Sequence, residues 1–230
     1  KQKVTIGSAG GLIVGEISLN QVKLPGFGTV EQLILYYNPV KFAFNKGDII
    51  ASLTRVAVRG GDIKIVRDKD DRWNFMSLAP NAEPGAPPSP PFAGKIALRD
   101  CSIRYFDQRG FSSSPGQFTA VLEKVSGNID LGKKDRLSLS LTAAAPEPAT
   151  VRGNFNFKNG KYEVNISARK LEAGKWVNYL FPAPDFSAGP GSIDLALKLT
   201  SPRTRGWPVA ISGKAGLRDA GITFQNRRIE

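Results

Sequence analysis

The chain has 230 residues, with 32 Lys or Arg against 20 Asp or Glu, one Cys and no His. Without histidine there is no His-based catalytic triad, no His-assisted metal site and no imidazole proton shuttle, and the single Cys101 makes neither an internal disulfide nor a thiolate metal cage. We therefore expect a protein that is not an enzyme, with no catalytic residue, no metal and no cofactor. Hydrophobic residues make up 41% of the chain, which is enough to bury a core, so we expect it to fold.

The amino-terminal part predicts strands, because apolar and polar residues alternate. The glycines at Gly7–Gly11 predict a turn, since no Lys-Ser or Lys-Thr pair follows them as in a phosphate loop. Asn38 and Pro39 predict the start of a short helix that ends near Gly47. The predicted strands are Leu12–Leu24, Val30–Tyr36, Asp48–Val58 and Asp62–Arg67.

The Pro-rich segment at residues 80–92 has no apolar periodicity and predicts a solvated loop or linker. It separates an amino-terminal part, residues 1–79, from residues 93–230. The two parts are either separate domains or one continuous sheet with a loop extending from it. We favour the continuous sheet, because the strand pattern resumes unchanged after the loop.

The carboxyl-terminal part alternates most regularly. Asn159-Gly160 predicts a hairpin turn, and a helix is predicted near residues 172–181, where Pro182 ends the apolar period. The strands are predicted at Gly94–Asp107, Phe118–Leu131, Leu137–Leu141, Val151–Phe157, Tyr162–Ile166, Ile193–Leu199 and Val209–Leu217. The chain is therefore expected to be mainly β, with strands that are apolar on one face.

Candidate chemical motifs are few. Asp68, Asp70 and Asp71 resemble a cation site only superficially, because the spacing lacks the glycine and distal Glu of a calcium loop, and a charged hairpin turn is expected instead. Ser112–Ser114 predict a polar loop, and Cys101 is expected to be a small buried hydrophobic residue.

The net charge of +12 attracts polyanions, but the basic residues are mostly interspersed with acidic ones. A solvated surface with a basic bias is the favoured interpretation, followed by an anionic lipid surface. Nucleic acid is not an expected partner, because the charge is not gathered into a patch with stacking aromatics.

The order of segments resembles the amino-terminal region of the AsmA-like and TamB-like bacterial envelope proteins, which are distant relatives of the chorein-type bridge-like lipid-transfer proteins. The resemblance covers most of the chain through loose patterns. The matching positions are Val30–Tyr37, Asn38–Gly47, Ile49–Val58, Ile63–Asn74 and Ile103–Asp107, and the later strands in "GSIDLALKLTSP" and "VAISGKAGLRDAGITF" are also similar.

The resemblance implies a long, strongly curved, largely antiparallel sheet with an open apolar groove and one or two short helices. The alternative fold is a closed β-sandwich. The resemblance also implies a periplasmic location, with anchoring to the inner membrane through a segment that is absent from this chain.

The expected ligand is a phospholipid or other acyl lipid, shielded during transport between inner and outer membranes. Envelope proteins of either membrane are possible partners. The alternative function is a β-rich interaction module that assists outer-membrane protein assembly or envelope integrity. The residues predicted to line the groove are Leu137, Leu139, Leu141, Val151, Phe155, Phe157, Val164, Ile166, Ile193, Leu195, Leu197 and Leu199.

Overall fold

The computed structural model describes residues 4–11, 15–45, 47–74, 92–109, 118–133, 135–180, 186–201 and 210–224. Most of these residues are in strands. The strands are β1 (Ser8–Gly10), β2 (Glu16–Leu24), β3 (Gly28–Tyr37), β4 (Leu53–Arg67), β5 (Lys95–Asp107), β6 (Phe118–Lys133), β7 (Arg136–Ala143), β8 (Ala149–Asn156), β9 (Lys161–Glu172), β10 (Phe186–Ala188), β11 (Ser192–Thr200), β12 (Ala210–Arg218) and β13 (Ile222–Phe224). The helices are α1 (Pro39–Phe44), α2 (Ile49–Ser52) and α3 (Ala173–Leu180).

Eleven of the described strands form one sheet in the order β1-β2-β3-β4-β5-β6-β7-β8-β9-β11-β12, and β10 pairs separately with β13. Strands β4 and β5 are parallel, and all other neighbours in the large sheet are antiparallel. In the described part of the chain β1 and β12 are the two edges, so the sheet is open. The prediction of a mainly β, largely antiparallel open sheet is therefore confirmed, and these strands do not form the closed sandwich.

The Pro-rich segment lies almost entirely outside the described residues, which stop at 74 and resume at 92. Strand β4 precedes it in the chain and β5 follows it, and the two are hydrogen-bonded neighbours. Strands from both sides of this segment thus belong to one sheet.

The short helices begin where side chains can cap them. The Asn38 side chain accepts hydrogen bonds from the backbone N–H groups of Val40 and Lys41, which the first turn of α1 leaves free. Asp48 caps α2 in the same way through the N–H of Ala51. The sequence predicted a strand from Asp48, so the single turn of α2 corrects that boundary.

Two further boundaries differ from prediction. Strand β4 is one long strand where two were predicted, because its pairing with β3 and β5 keeps the same register on both sides of Gly60-Gly61. Gly7–Gly11 was predicted as a turn, but Ser8–Gly10 pairs with β2 as strand β1.

The predicted turns at Asn159-Gly160 and at Asp68–Asp71 are confirmed. In the first, Gly160 has a φ of +65° and the Asn159 side chain accepts from the N–H of Lys161. In the second, the N–H of Asp68 donates to the carbonyl oxygen of Arg72.

Four strands bend at the same height of the sheet. Gln21 in β2, Gly60 in β4, Asp100 in β5 and Lys124 in β6 have φ angles of 52° to 58°. Between β5 and β6 the register also shifts at this height, as at a β-bulge, which bends a strand and increases its twist. The residue after each of these four residues is buried, and at Val22, Cys101 and Val125 the side chain is at most 2% exposed.

These buried residues belong to one line across the sheet, which we call the crease. Its members follow one another from β2 to β11, and most of them are direct cross-strand partners of the next. They are Val22, Val30, Gly61, Cys101, Val125, Ala143, Ala149, Ala168 and Leu195. The crease is thus the main site of apolar burial in the sheet.

No described helix combines the length and the apolar composition needed to cross a membrane.

Candidate functional site

The strand register places the residues predicted for the groove on one face of the sheet. Leu141 lies opposite Val151, Val151 opposite Ile166, and Ile166 opposite Leu197. Directly opposed residues of antiparallel strands project from the same face. The same strands extend this face through two further cross-strand pairs, Leu137 with Phe155 and Val164 with Leu199. In β11 the face also includes Ile193 and Leu195.

The same face continues across the strands that were not assigned to the groove. Two cross-strand rows run without interruption from β2 to β12. The first is Ile17, Leu35, Val56, Ile96, Ile129, Leu139, Gly153, Val164, Leu199 and Ile211. The second is Leu19, Leu33, Val58, Leu98, Gly127, Leu141, Val151, Ile166, Leu197 and Gly213.

We call the surface formed by these rows, the crease and the predicted groove residues other than Phe157 the apolar face. The opposite face is mainly polar: Arg136, Ser138 and Ser140 alternate with the leucines of β7 and are all exposed. Most side chains of the two rows are half-buried rather than fully covered. In the described part of the chain, the other sheet is the short pair β10–β13, which contacts this face through Ala188 near Ile193, at the end where α3 lies.

Phe157 departs from its predicted place. Strand β8 ends at Asn156, and Phe157 lies in the following turn with 63% of its surface exposed. Its N–H donates to the carbonyl oxygen of Asp135. The alternating pattern of the sequence includes Phe157, but the strand ends one residue before it. Phe157 is therefore not brought together with the other predicted residues.

Helix α3 packs on one end of the apolar face. Ala173 and Val177 are buried against Leu171 of β9 and Ile193 of β11, as the apolar spacing of the helix predicts. The helix also reaches β6, because the ring of Tyr179 stacks on Phe118 at a centroid distance of 3.7 Å.

The ring of Trp176 meets Phe118 edge to face, with the centroids 5.3 Å apart. Through these contacts α3 connects β9 and β11 to β6, and so it closes this end of the apolar face.

A buried carboxylate of β5 binds helix α3 through a hydrogen bond. Asp107, at the end of β5, is completely buried and accepts hydrogen bonds from the hydroxyls of Tyr179 at 3.0 Å and Tyr105 at 3.1 Å. Arg109 donates to it from the backbone N–H and from the guanidinium, whose Nη2 lies 2.7 Å from Oδ2. Arg67 adds a second cation, 3.9 Å from the same oxygen.

We call Asp107 and its partners Tyr105, Tyr179 and Arg109 the lock, because their protonation states maintain these hydrogen bonds. Burial tends to raise the pKa of Asp107. The hydrogen bonds from Arg109, Tyr179 and Tyr105 together lower it by more, so the pKa lies well below its usual range. Burial and the neighbouring Tyr105 hydroxyl raise the pKa of Tyr179 well above its usual range. The carboxylate therefore stays ionised as an acceptor while the tyrosines stay protonated as donors, and neither is poised to transfer a proton near neutral pH.

Sequence reasoning missed this cluster, although one signal was present. In β5, Ile103, Tyr105 and Asp107 are alternate residues. The pattern that begins at Ile103 therefore predicts apolar side chains at the positions of Tyr105 and Asp107. A carboxylate at such a position is buried, and the basic Arg109 follows two residues later. A charged residue on the apolar side of the period is therefore the mark that could have identified the lock.

The described residues contain no group of three or more His, Cys, Asp or Glu side chains placed to hold a metal ion. Cys101 is buried in the crease, with its Sγ 3.5 Å from the carbonyl oxygen of Arg99. This confirms the prediction that Cys101 behaves as a small buried hydrophobic residue.

A comparison of the sequence with models of known protein families finds no match, and a comparison with curated proteins finds none either.

Proposed function

We propose that the apolar face binds the acyl chains of a phospholipid or other acyl lipid. In this proposal the chain is a non-enzymatic segment of a bacterial envelope protein that shields lipids on their way between the inner and outer membranes. The observation that carries the proposal is the unbroken row of apolar residues and glycines from Ile17 in β2 to Ile211 in β12; among the described elements, only α3 and the short β10–β13 pair pack on this face, at one end.

The size of this surface supports an acyl ligand. Ten strands spaced about 4.8 Å apart give each row a length of roughly 40 Å along the sheet, which exceeds the length of one extended acyl chain. Each methylene group removed from water contributes about 0.8 kcal/mol. An open apolar surface of this extent is also uncommon in a soluble protein without a hydrophobic partner.

Helix α3 makes the two ends of the apolar face different. One end is closed by Tyr179, Trp176 and the buried Asp107, whereas the other carries the exposed turn around Phe157. An acyl chain would therefore enter from the end opposite α3 or from the long edges.

The segment order that resembles the AsmA-like and TamB-like envelope proteins is the support for the cellular setting. From it we propose a periplasmic location, inner-membrane anchoring through a segment absent from this chain, and envelope proteins as partners.

Native mass spectrometry with lipid extraction, on protein purified without harsh detergent, tests the ligand. We expect phospholipid in defined stoichiometry. Leu139 and Ser140 provide a matched pair, since they are consecutive in β7 and belong to opposite faces. The variant Leu139→Asp should lose most of the lipid and Ser140→Asp should retain it; a lipid-free mass for the unmodified protein would contradict the proposal.

The alternative, a β-rich interaction module, has one observation in its favour. Strand β12 is exposed at every residue, and in the described part of the chain its second edge pairs with no strand. Such an edge can accept a strand from another protein through backbone hydrogen bonds. Co-purification of an outer-membrane protein that survives delipidation would favour this function, and its loss with the lipid would count against it.

A further inference from the structure

The polar face of the sheet places like charges side by side. The parallel register of β4 and β5 sets Arg55 opposite Lys95, and Arg59 opposite Arg99. Like charges at directly opposed positions destabilise a sheet. Two such pairs on adjacent strands therefore call for a compensating partner.

The protein itself neutralises these cations incompletely. Lys95 meets the carboxylate of Asp130 only at 4.0 Å, and Arg55 lies over the ring of Tyr36 at 5.4 Å. Across the sheet, Arg152 is flanked by Ser140 and Asn165, which are uncharged. Within the described ranges, no carboxylate lies within 4.0 Å of the guanidinium groups of Arg55 and Arg152.

Three of these cations line one depression of about 540 Å³ on the polar face. They are Arg55, Lys95 and Arg152, contributed by β4, β5 and β8. Amide and hydroxyl side chains that can donate hydrogen bonds also line it, namely Asn128, Ser138, Ser140 and Asn154, and Asp130 is the carboxylate among the lining residues.

We propose that this depression binds a phosphate ester. Guanidinium groups donate paired hydrogen bonds to phosphate oxygens, and neutral hydroxyl and amide donors complete the coordination of such an anion. The volume exceeds that of inorganic phosphate and falls in the range of small-molecule sites, so the ligand is an ester such as a sugar phosphate or a phosphorylated lipid head group.

The charged and polar residues of this site belong to the face opposite the apolar face, and Leu139 and Gly153 of the first row also border the depression. Lys95 and Arg152 alternate with Ile96 and Val151, which belong to the apolar face. A lipid bound by its acyl chains on the apolar face therefore does not place its head group in the depression. The inference goes beyond the proposed lipid-binding function and does not depend on it.

Isothermal titration with glucose 1-phosphate tests the site, and cosedimentation with phosphatidic acid vesicles tests the membrane-bound form of the same ligand chemistry. The variant Arg55→Gln with Arg152→Gln should weaken binding by roughly tenfold or more. The control, Lys158→Gln with Lys214→Gln, removes the same charge away from the depression and should bind as the unmodified protein does.

A third variant guards against misfolding. Asp130→Asn removes the carboxylate that competes with the ligand for Lys95, and it should tighten binding, which a damaged fold would not do. Its amide oxygen can still accept from the N–H of Gly132, 2.8 Å from the carboxylate in the native chain.

Binding of the soluble ester that depends on Arg55 and Arg152 supports the site and a free ligand. Binding only to vesicles, with the same dependence, supports the site and a lipid head group. Absence of both, or equal loss in the control variant, would overturn the proposal.

Discussion

The hydroxyl of Tyr179 in α3 donates a hydrogen bond to Oδ2 of Asp107 at the end of β5, over a distance of 3.0 Å. Helix α3 follows β9, and β9 is separated from β5 by three strands in the sheet. Strands are spaced about 4.8 Å apart, so a flat sheet would hold β5 and β9 roughly 19 Å apart. The contact therefore extends across the apolar face and ties the helix over one end of it.

Tyr179→Phe should loosen this closure. The variant removes the hydrogen bond to Asp107 and leaves the stacking on Phe118 in place, so we expect a loss of about 1 to 2 kcal/mol in the free energy of unfolding. Amide hydrogen exchange should quicken first in α3. Tyr36→Phe, which keeps the ring beneath Arg55, should change stability little; equal effects of the two variants would contradict a locking role for Tyr179.

The lock should also make stability depend on acid. Because the pKa of Asp107 in the folded protein lies below its value of about 3.9 in an unfolded chain, its contribution is fully present above that value. The contribution should decline as the pH falls from about 4 to 2.

Asp107→Asn should lower the free energy of unfolding at neutral pH by about 3 kcal/mol, since Arg109 loses its anionic partner and Arg67 keeps only Asp71. The variant should also show a shallower decline in acid than the unmodified protein. Urea unfolding measured across this pH range checks both points, and parallel curves for the two proteins would argue against Asp107 as the source of the acid sensitivity.

Gly127→Ala should destabilise the sheet at the apolar face. Gly127 has a φ of +148°, and a Cβ there would lie 2.0 Å from the carbonyl oxygen of Ser140. We expect a loss of about 2 to 4 kcal/mol in thermal or urea unfolding. Gly216→Ala in β12 is the matched control, because its Cβ would meet no atom within 4 Å and its φ requires no glycine; a similar loss there would refute the steric explanation.

The one-faced sheet could be predicted from the sequence because alternation is a local signal. The period of β7 alone assigns Leu137, Leu139 and Leu141 to one side and their serine neighbours to the other. The same rule failed at Phe157, where the turn begins one residue earlier than the apolar pattern ends.

The crease and the parallel pairing could not be predicted in this way. Gln21, Asp100 and Lys124 adopt left-handed angles that glycine favours most, so their residue types do not predict these positions. The β4–β5 register depends on the whole sheet, and it alone places Arg55 beside Lys95. Both features arise from tertiary pairing, which a local pattern does not contain.

Site-specific photo-crosslinking in cells tests whether phospholipid lies on the apolar face. A photoreactive phenylalanine analogue at Leu139 should capture phospholipid, whereas the same analogue at Ser140, the next residue on the polar face, should not. Leu197 and Lys198 in β11 provide a second comparison, because Leu197 belongs to the apolar face and Lys198 to the polar face. We expect lipid capture at Leu139 and Leu197 alone. Capture at neither leucine, or equally at all four positions, would contradict it.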